Sequence, residues 1–196
     1  FVISGYLMTS IIISKFDKRR FNLMDFYLAR VNRIIPALAF LCASLLIIGL
    51  FTLSPVEYSK LGKQAASSVL FLSNIIYYRD SGYFAESSLE NWLLHTWSLS
   101  VEWQFYLLYP VALLVLNRLL SRDKLKVAIV FATFLSLVLS AWLTPKNPSL
   151  SYYALPTRAW EMLIGGLAFL YPIKIYESLR KPLAVIGVIL ILISCF

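Results

Sequence analysis

With 196 residues, 60% of them hydrophobic, only 14% charged, and a mean hydropathy of +0.75, the chain lies outside the range of ordinary soluble domains and belongs in lipid. A net charge of +8 would point to nucleic acid in a soluble protein; in a membrane chain basic loops that set orientation account for it, so no nucleic-acid partner is expected. One His and two Cys, Cys42 and Cys195 in apolar runs, indicate neither a disulfide nor a protein-held metal site.

Phe1 to Ser14 is uncharged and reads as the inside of a helix, without an initiator Met or a signal-peptide n-region. The stretch from Pro182 to Phe196 is uncharged and stops in mid-segment. Both ends read as cut, so residues 1–196 are expected to be one partial membrane domain. Between Lys15 and Arg33 the chain carries Lys15, Lys18, Arg19, Arg20, Arg30 and Arg33 against Asp17 and Asp25, the pattern of a cytoplasmic loop. Lys18, Arg19 and Arg20 suit lipid head groups. Ile34 to Val56 holds 23 uncharged residues, enough to cross a bilayer, with Pro36 placed in the first turn.

Ser54 to Leu94 is long and mixed in sign, with Lys60, Lys63 and Arg79 against Glu57, Asp80, Glu86 and Glu90. Inside it, Gln64 to Tyr78 is apolar but short and studded with Ser67, Ser68, Ser73 and Asn74. Chain parity decides its role. The span from Thr96 to Leu116 ends in a basic loop with Arg118, Arg122, Lys124 and Lys126, which must be cytoplasmic, so Gln64 to Tyr78 is expected to be a re-entrant or interfacial helix. Val127 to Thr144 returns outward, Pro145 to Thr157 is an outer loop, Arg158 to Tyr171 comes back in, and Lys174 to Lys181 is a basic inner loop. Thirteen of the 18 Lys and Arg fall in the three inner loops, which supports this orientation. The fold expected is an all-α polytopic transmembrane helix bundle of about five full spans, truncated ends and one re-entrant or interfacial helix.

The chemistry concentrates after His95. At helical spacing His95, Ser98, Glu102, Tyr106 and Tyr109 share one face, with Leu99, Trp103, Leu107 and Val111 opposite. A carboxylate in hydrocarbon costs roughly 2.5–3.5 kcal/mol on insertion scales, so Glu102 must face protein or a wet cavity, either as a structural acid paired with a basic residue of another helix or as a candidate functional group. Arg158 and Glu161 enter from the outer side as well; they can pair with each other, or Arg158 can reach Glu102. Gly165 and Gly166 suit close helix packing. Tyr152, Tyr153 and the five Trp suit interfacial belts. Ser98 and Ser100 lack the surroundings of an acyl-enzyme nucleophile. From residues alone, two further readings stay open: an ion-coupled secondary transporter through Glu102, Glu161 and Arg158, or a non-catalytic scaffold for envelope assembly.

Five stretches carry a resemblance: Phe1-Val-Ile-Ser-Gly-Tyr-Leu-Met-Thr9; Asp25-Phe-Tyr-Leu-Ala-Arg-Val-Asn-Arg-Ile-Ile-Pro36; Phe71-Leu-Ser-Asn74; the run from Leu94 through His-Thr-Trp-Ser-Leu-Ser-Val-Glu-Trp-Gln to Pro110; and Leu155-Pro-Thr-Arg-Ala-Trp-Glu-Met-Leu-Ile-Gly-Gly166. In this order the chain resembles the acyltransferase-3 family of bacterial integral-membrane acyltransferases. The resemblance implies O-acylation, usually O-acetylation, of an extracytoplasmic glycan such as O-antigen, peptidoglycan or exopolysaccharide. It implies cytoplasmic acyl-CoA (acetyl-CoA) as donor and the bacterial inner membrane as location. Arg30 and Arg33, otherwise ordinary anchors, become candidates to grip the donor's phosphates. Glu102 becomes a helper of the catalytic base, His95 a secondary candidate that also suits capping or packing, and Ser98, Tyr106, Arg158 and Glu161 candidates for substrate contact. The family's first helix, with a basic residue and a His thought central to catalysis, is expected upstream of Phe1. Trp103 departs from relatives that carry a second Glu there.

Overall fold

A helix satisfies its own backbone polar groups, which is what lets it lie in lipid. The computed structural model of the protein describes residues 1–18, 20–81, 91–172 and 177–193 and holds nine helices among them, with no strand. They are α1 (Val2–Asp17), α2 (Leu23–Thr52), α3 (Pro55–Val69), α4 (Ser73–Asp80), α5 (Thr96–Leu119), α6 (Arg122–Leu143), α7 (Pro148–Tyr153), α8 (Leu155–Leu170) and α9 (Glu177–Ile193). Arg19, Glu86, Glu90, Lys174 and Cys195 lie outside the described residues. Three helices, α2, α5 and α6, are long and apolar enough to cross a membrane. At 16 residues each, α1 and α8 reach only about 24 Å.

α5 is the hub. Ser4 bonds Glu102 and Thr9 bonds Tyr109, in the same order along both helices, so α1 and α5 run parallel. Lys15, Arg118 and Arg122 therefore gather at one basic end of the bundle. There Lys126 lies 3.9 Å from Asp123 and 5.6 Å from the ring of Tyr171. α8 crosses α1 with backbone against backbone: a Cβ added at Gly165 would overlap the Val2 carbonyl, and one at Gly5 the Met162 carbonyl. The expectation of close packing at Gly165 and Gly166 holds.

α2 begins eleven residues before the expected start of its span. Asn22 caps it by accepting from the Met24 amide at 3.0 Å, Asp25 sits in the first turn, and the Tyr27 hydroxyl anchors the turn to the Leu107 carbonyl at 2.8 Å. Arg30 and Arg33 thus lie on a helix and not in a loop. Pro36 lies in its interior instead of its first turn, removing the bond to the Asn32 carbonyl, a loss transmembrane helices tolerate.

The segment after α2 forms a hairpin that dips into the bundle. Ser54 and Glu57 make a capping box at its start, with Pro55 in the first turn. α3 then descends to a turn at Leu70–Leu72, where Phe71 takes φ 55°. Phe71 packs in one buried cluster with Leu38, which lies fourteen residues, or about 21 Å, before the end of α2. α4 climbs back until Tyr78 meets Asn147 in the loop after α6. Where one short re-entrant or interfacial helix was expected over Gln64 to Tyr78, the chain forms two helices and a tight turn packed against α2 and α5. The aromatic residues divide: Trp142 is exposed beside Lys146, but Trp97 is buried and Trp103 stacks on Phe71 with centroids 4.5 Å apart.

Candidate functional site

Two polar seams run along α5. The first faces α1 and α2. Ser4 donates to Glu102 Oε1 at 2.9 Å, and the Tyr106 hydroxyl donates to Oε2 at 3.1 Å. The backbone nitrogen of Phe1 lies 3.8 Å from Oε1. Glu102 keeps 22% of its side chain exposed, so each oxygen is bonded once and still reachable. On the other side of Tyr106, the Arg30 guanidinium stands 5.9 Å from the ring centroid and 5.7 Å from that of Phe26. Arg30, Tyr106, Glu102 and Ser4 thus form one line of contacts along this face. One turn deeper, Thr9 and Tyr109 share a buried bond at 2.7 Å, and Gly166 lies flush against both.

Glu102 can stand at this depth because its neighbours offer hydroxyl donors instead of a competing acid. Small residues on α1 make the approach possible, since Gly5 brings the α1 backbone onto α8 while Ser4 faces α5. Burial of Val101, Phe105, Tyr106 and Tyr109 locks the rotation of α5, so Glu102 points into the seam while Leu107 and Leu108 face outward. A carboxylate held this way can orient a substrate hydroxyl or support its proton transfer. A guanidinium on the basic side can grip phosphate.

The other sequence candidates separate from this line. Arg33 is exposed beside the half-buried Arg30. His95 occupies the N-cap of α5 but is exposed and makes no capping bond with its side chain, so the capping reading does not hold. Ser98 donates to the His95 carbonyl at 3.0 Å on the rim. Arg158 pairs with Glu161 at 2.6 Å, donates to the Tyr152 carbonyl at 3.1 Å and lies over the Tyr152 ring. The i,i+3 pairing is the one formed; no ion pair joins Arg158 to Glu102 among the described residues. Among those residues no cluster of His, Cys, Asp and Glu is set to hold a metal.

The second seam, facing α3 and α4, was not foreseen. Ser68 and Thr96 share a bond at 2.7 Å, as do Ser73 and Ser100. Gln104 donates to Asn74 Oδ1 at 2.9 Å and to the Phe71 carbonyl at 3.2 Å, and Asn74 donates to the Tyr153 carbonyl at 3.1 Å. The available signal was Thr96, Ser100 and Gln104 at i, i+4, i+8, a second polar stripe on the same helix.

The family model described as an acyltransferase domain, of the acyltransferase-3 type, matches residues 1–196. An uncharacterized protein of Haemophilus influenzae is 31% identical, the match covering all of this chain and 84% of that protein. The peptidoglycan O-acetyltransferase OatA of Listeria monocytogenes is 33% identical over all of this chain and 33% of its own length. The O-acetyltransferase OatA of Staphylococcus aureus is 33% identical over 88% of this chain and 29% of its own. The chain thus spans about a third of the length of these two acetyltransferases. No solved structure matches.

Proposed function

The chain belongs to the acyltransferase-3 family of membrane acyltransferases, and from that premise we propose that it transfers an acetyl group from acetyl-CoA to a hydroxyl of an envelope glycan. Residues 1–196 serve as part of one membrane domain in the bacterial inner membrane, with the basic end cytoplasmic. The observation that carries this reading is the line of contacts from Arg30 through Tyr106 to Glu102 and Ser4. Arg30 grips the donor's phosphates, with the exposed Arg33 as a secondary contact nearer lipid. Glu102 supports removal of the proton from the acceptor hydroxyl as its oxygen bonds to the acyl carbon. The carbon–sulfur bond breaks, and the proton ends on the departing thiolate. Tyr106 and Ser4 fix the carboxylate. Family membership also removes the residues-only case for a transporter or scaffold. Peptidoglycan, the acceptor in the name of the Listeria relative, is the first substrate to try.

The test uses the intact protein in proteoliposomes with acetyl-CoA and glycan acceptor. Charge-assisted bonds to phosphate are worth about 1.5–3 kcal/mol, so Arg30→Ala should raise the donor KM by about tenfold or more at unchanged protein level. An unchanged donor KM contradicts the role given to Arg30.

A further inference from the structure

At the end of the bundle opposite the basic one, a cavity of about 310 Å³ opens between the start of α3 and the approach to α5. Leu53 and Leu61 form apolar wall. Glu57, Lys60, Gln64 and Asn91 supply both signs of charge and two amides, and Trp92 completes the lining. Gln64 donates to Asn91 Oδ1 at 2.6 Å, which leaves Gln64 Oε1 and the Asn91 amide group as an acceptor and a donor side by side. Trp92 remains 42% exposed. Hydrogen bonds with Ser54 hold the Glu57 carboxyl below its usual range, so it is an anion at neutral pH.

This combination has a chemical meaning. A sugar ring presents an apolar face of C–H groups and an equator of hydroxyls. It is met by an aromatic plate with amides and a carboxylate around the rim, since an indole offers broad apolar area at little entropic cost. An acyl-CoA phosphate fits poorly, because Lys60 shares the cavity with Glu57 and the basic end lies across the bundle. A purely interfacial Trp would not need the paired amides. The cavity also lies on the α3 side of α5, away from the face that carries Glu102, so a molecule bound here and reacting at Glu102 must be extended.

We infer that the cavity lined by Trp92, Gln64, Asn91 and Glu57 is a subsite for a sugar residue of a polymeric glycan acceptor, remote from the residue that is acylated. The inference rests on the acyl-transfer reading above and adds where the acceptor chain is held.

The probe is a soluble peptidoglycan-strand tetrasaccharide, compared with its monosaccharide, given to the intact protein in proteoliposomes with acetyl-CoA. Loss of the aromatic platform in Trp92→Ala should raise the tetrasaccharide KM about two- to tenfold with little change in kcat. The monosaccharide KM should not respond, Trp92→Phe should keep most of the affinity, and Gln64→Leu should raise the same KM. Tetrasaccharide should also quench the fluorescence that is lost in Trp92→Phe. If wild-type protein transfers acetyl groups and both Trp92→Ala and Gln64→Leu keep the wild-type tetrasaccharide KM, the subsite is overturned while the acyl-transfer reading stands. If wild-type protein acetylates no glycan but the tetrasaccharide still quenches Trp92, the subsite stands without that reading; absence of both overturns both.

Discussion

The two faces of α5 differ in kind although both are polar. Toward α3 and α4 every bonded group is neutral and is answered by a partner of its own type: hydroxyl to hydroxyl at Ser68–Thr96 and Ser73–Ser100, amide to amide at Asn74–Gln104. The remaining amide hydrogens go to the Phe71 and Tyr153 carbonyls. Toward α1 and α2 the seam holds a carboxylate and a guanidinium on either side of Tyr106, and the carboxylate stays partly exposed. A closed neutral seam fixes a shape, here the irregular turn between α3 and α4. An open charged seam keeps capacity for a ligand. Substitutions on the first face should therefore show in stability, and on the second in catalysis.

The largest structural effect should come from the crossing beneath the charged seam. Gly165→Leu drives side chain into the α1 backbone at Val2 and Tyr6, so overpacking should cost about 3 kcal/mol and pull Ser4 from Glu102. Thermal unfolding in detergent measures this, with Gly62→Ala, a mid-helix position whose Cβ meets nothing, as the control that should lose no stability and gain about 0.5–1 kcal/mol. Next, Gln104→Leu leaves the Phe71 carbonyl and Asn74 Oδ1 unanswered and should cost about 1–3 kcal/mol of stability. Its acyl transfer per folded molecule should stay near wild type; a selective loss of kcat would erase the distinction between the faces. Smallest, Tyr106→Phe removes one donor to Glu102 and keeps the ring under Arg30, worth about 1 kcal/mol, or roughly a fivefold fall in kcat, with Tm little changed.

Much of this was legible beforehand where periodicity and charge speak. Glu102, Tyr106 and Tyr109 follow one helical stripe, the dip between α2 and α5 follows from charge parity, and Gly165 with Gly166 marks a close crossing. What escaped has physical reasons. Ser4 and Thr9 are single small hydroxyls in an apolar run, and only tertiary packing shows that they answer Glu102 and Tyr109. The start of α2 was hidden by its charges, because a basic turn of helix and a basic loop read alike. Phe71 in the left-handed region leaves no local signal, since Gly or Asn would be usual there. His95 sits on the expected stripe but at the N-cap of α5, where the last half-turn decides exposure.

We propose that Glu102 does chemistry while its counterpart Gln104, two residues on, holds the fold. Acetyl transfer to glycan by purified, stably inserted Glu102→Gln protein, measured beside Gln104→Leu and normalised to folded protein, tests it most directly. Transfer by Glu102→Gln protein should fall about 100-fold or more, as for loss of a group that assists proton transfer, and Gln104→Leu should keep a rate near wild type. Near-wild-type transfer by Glu102→Gln would contradict it.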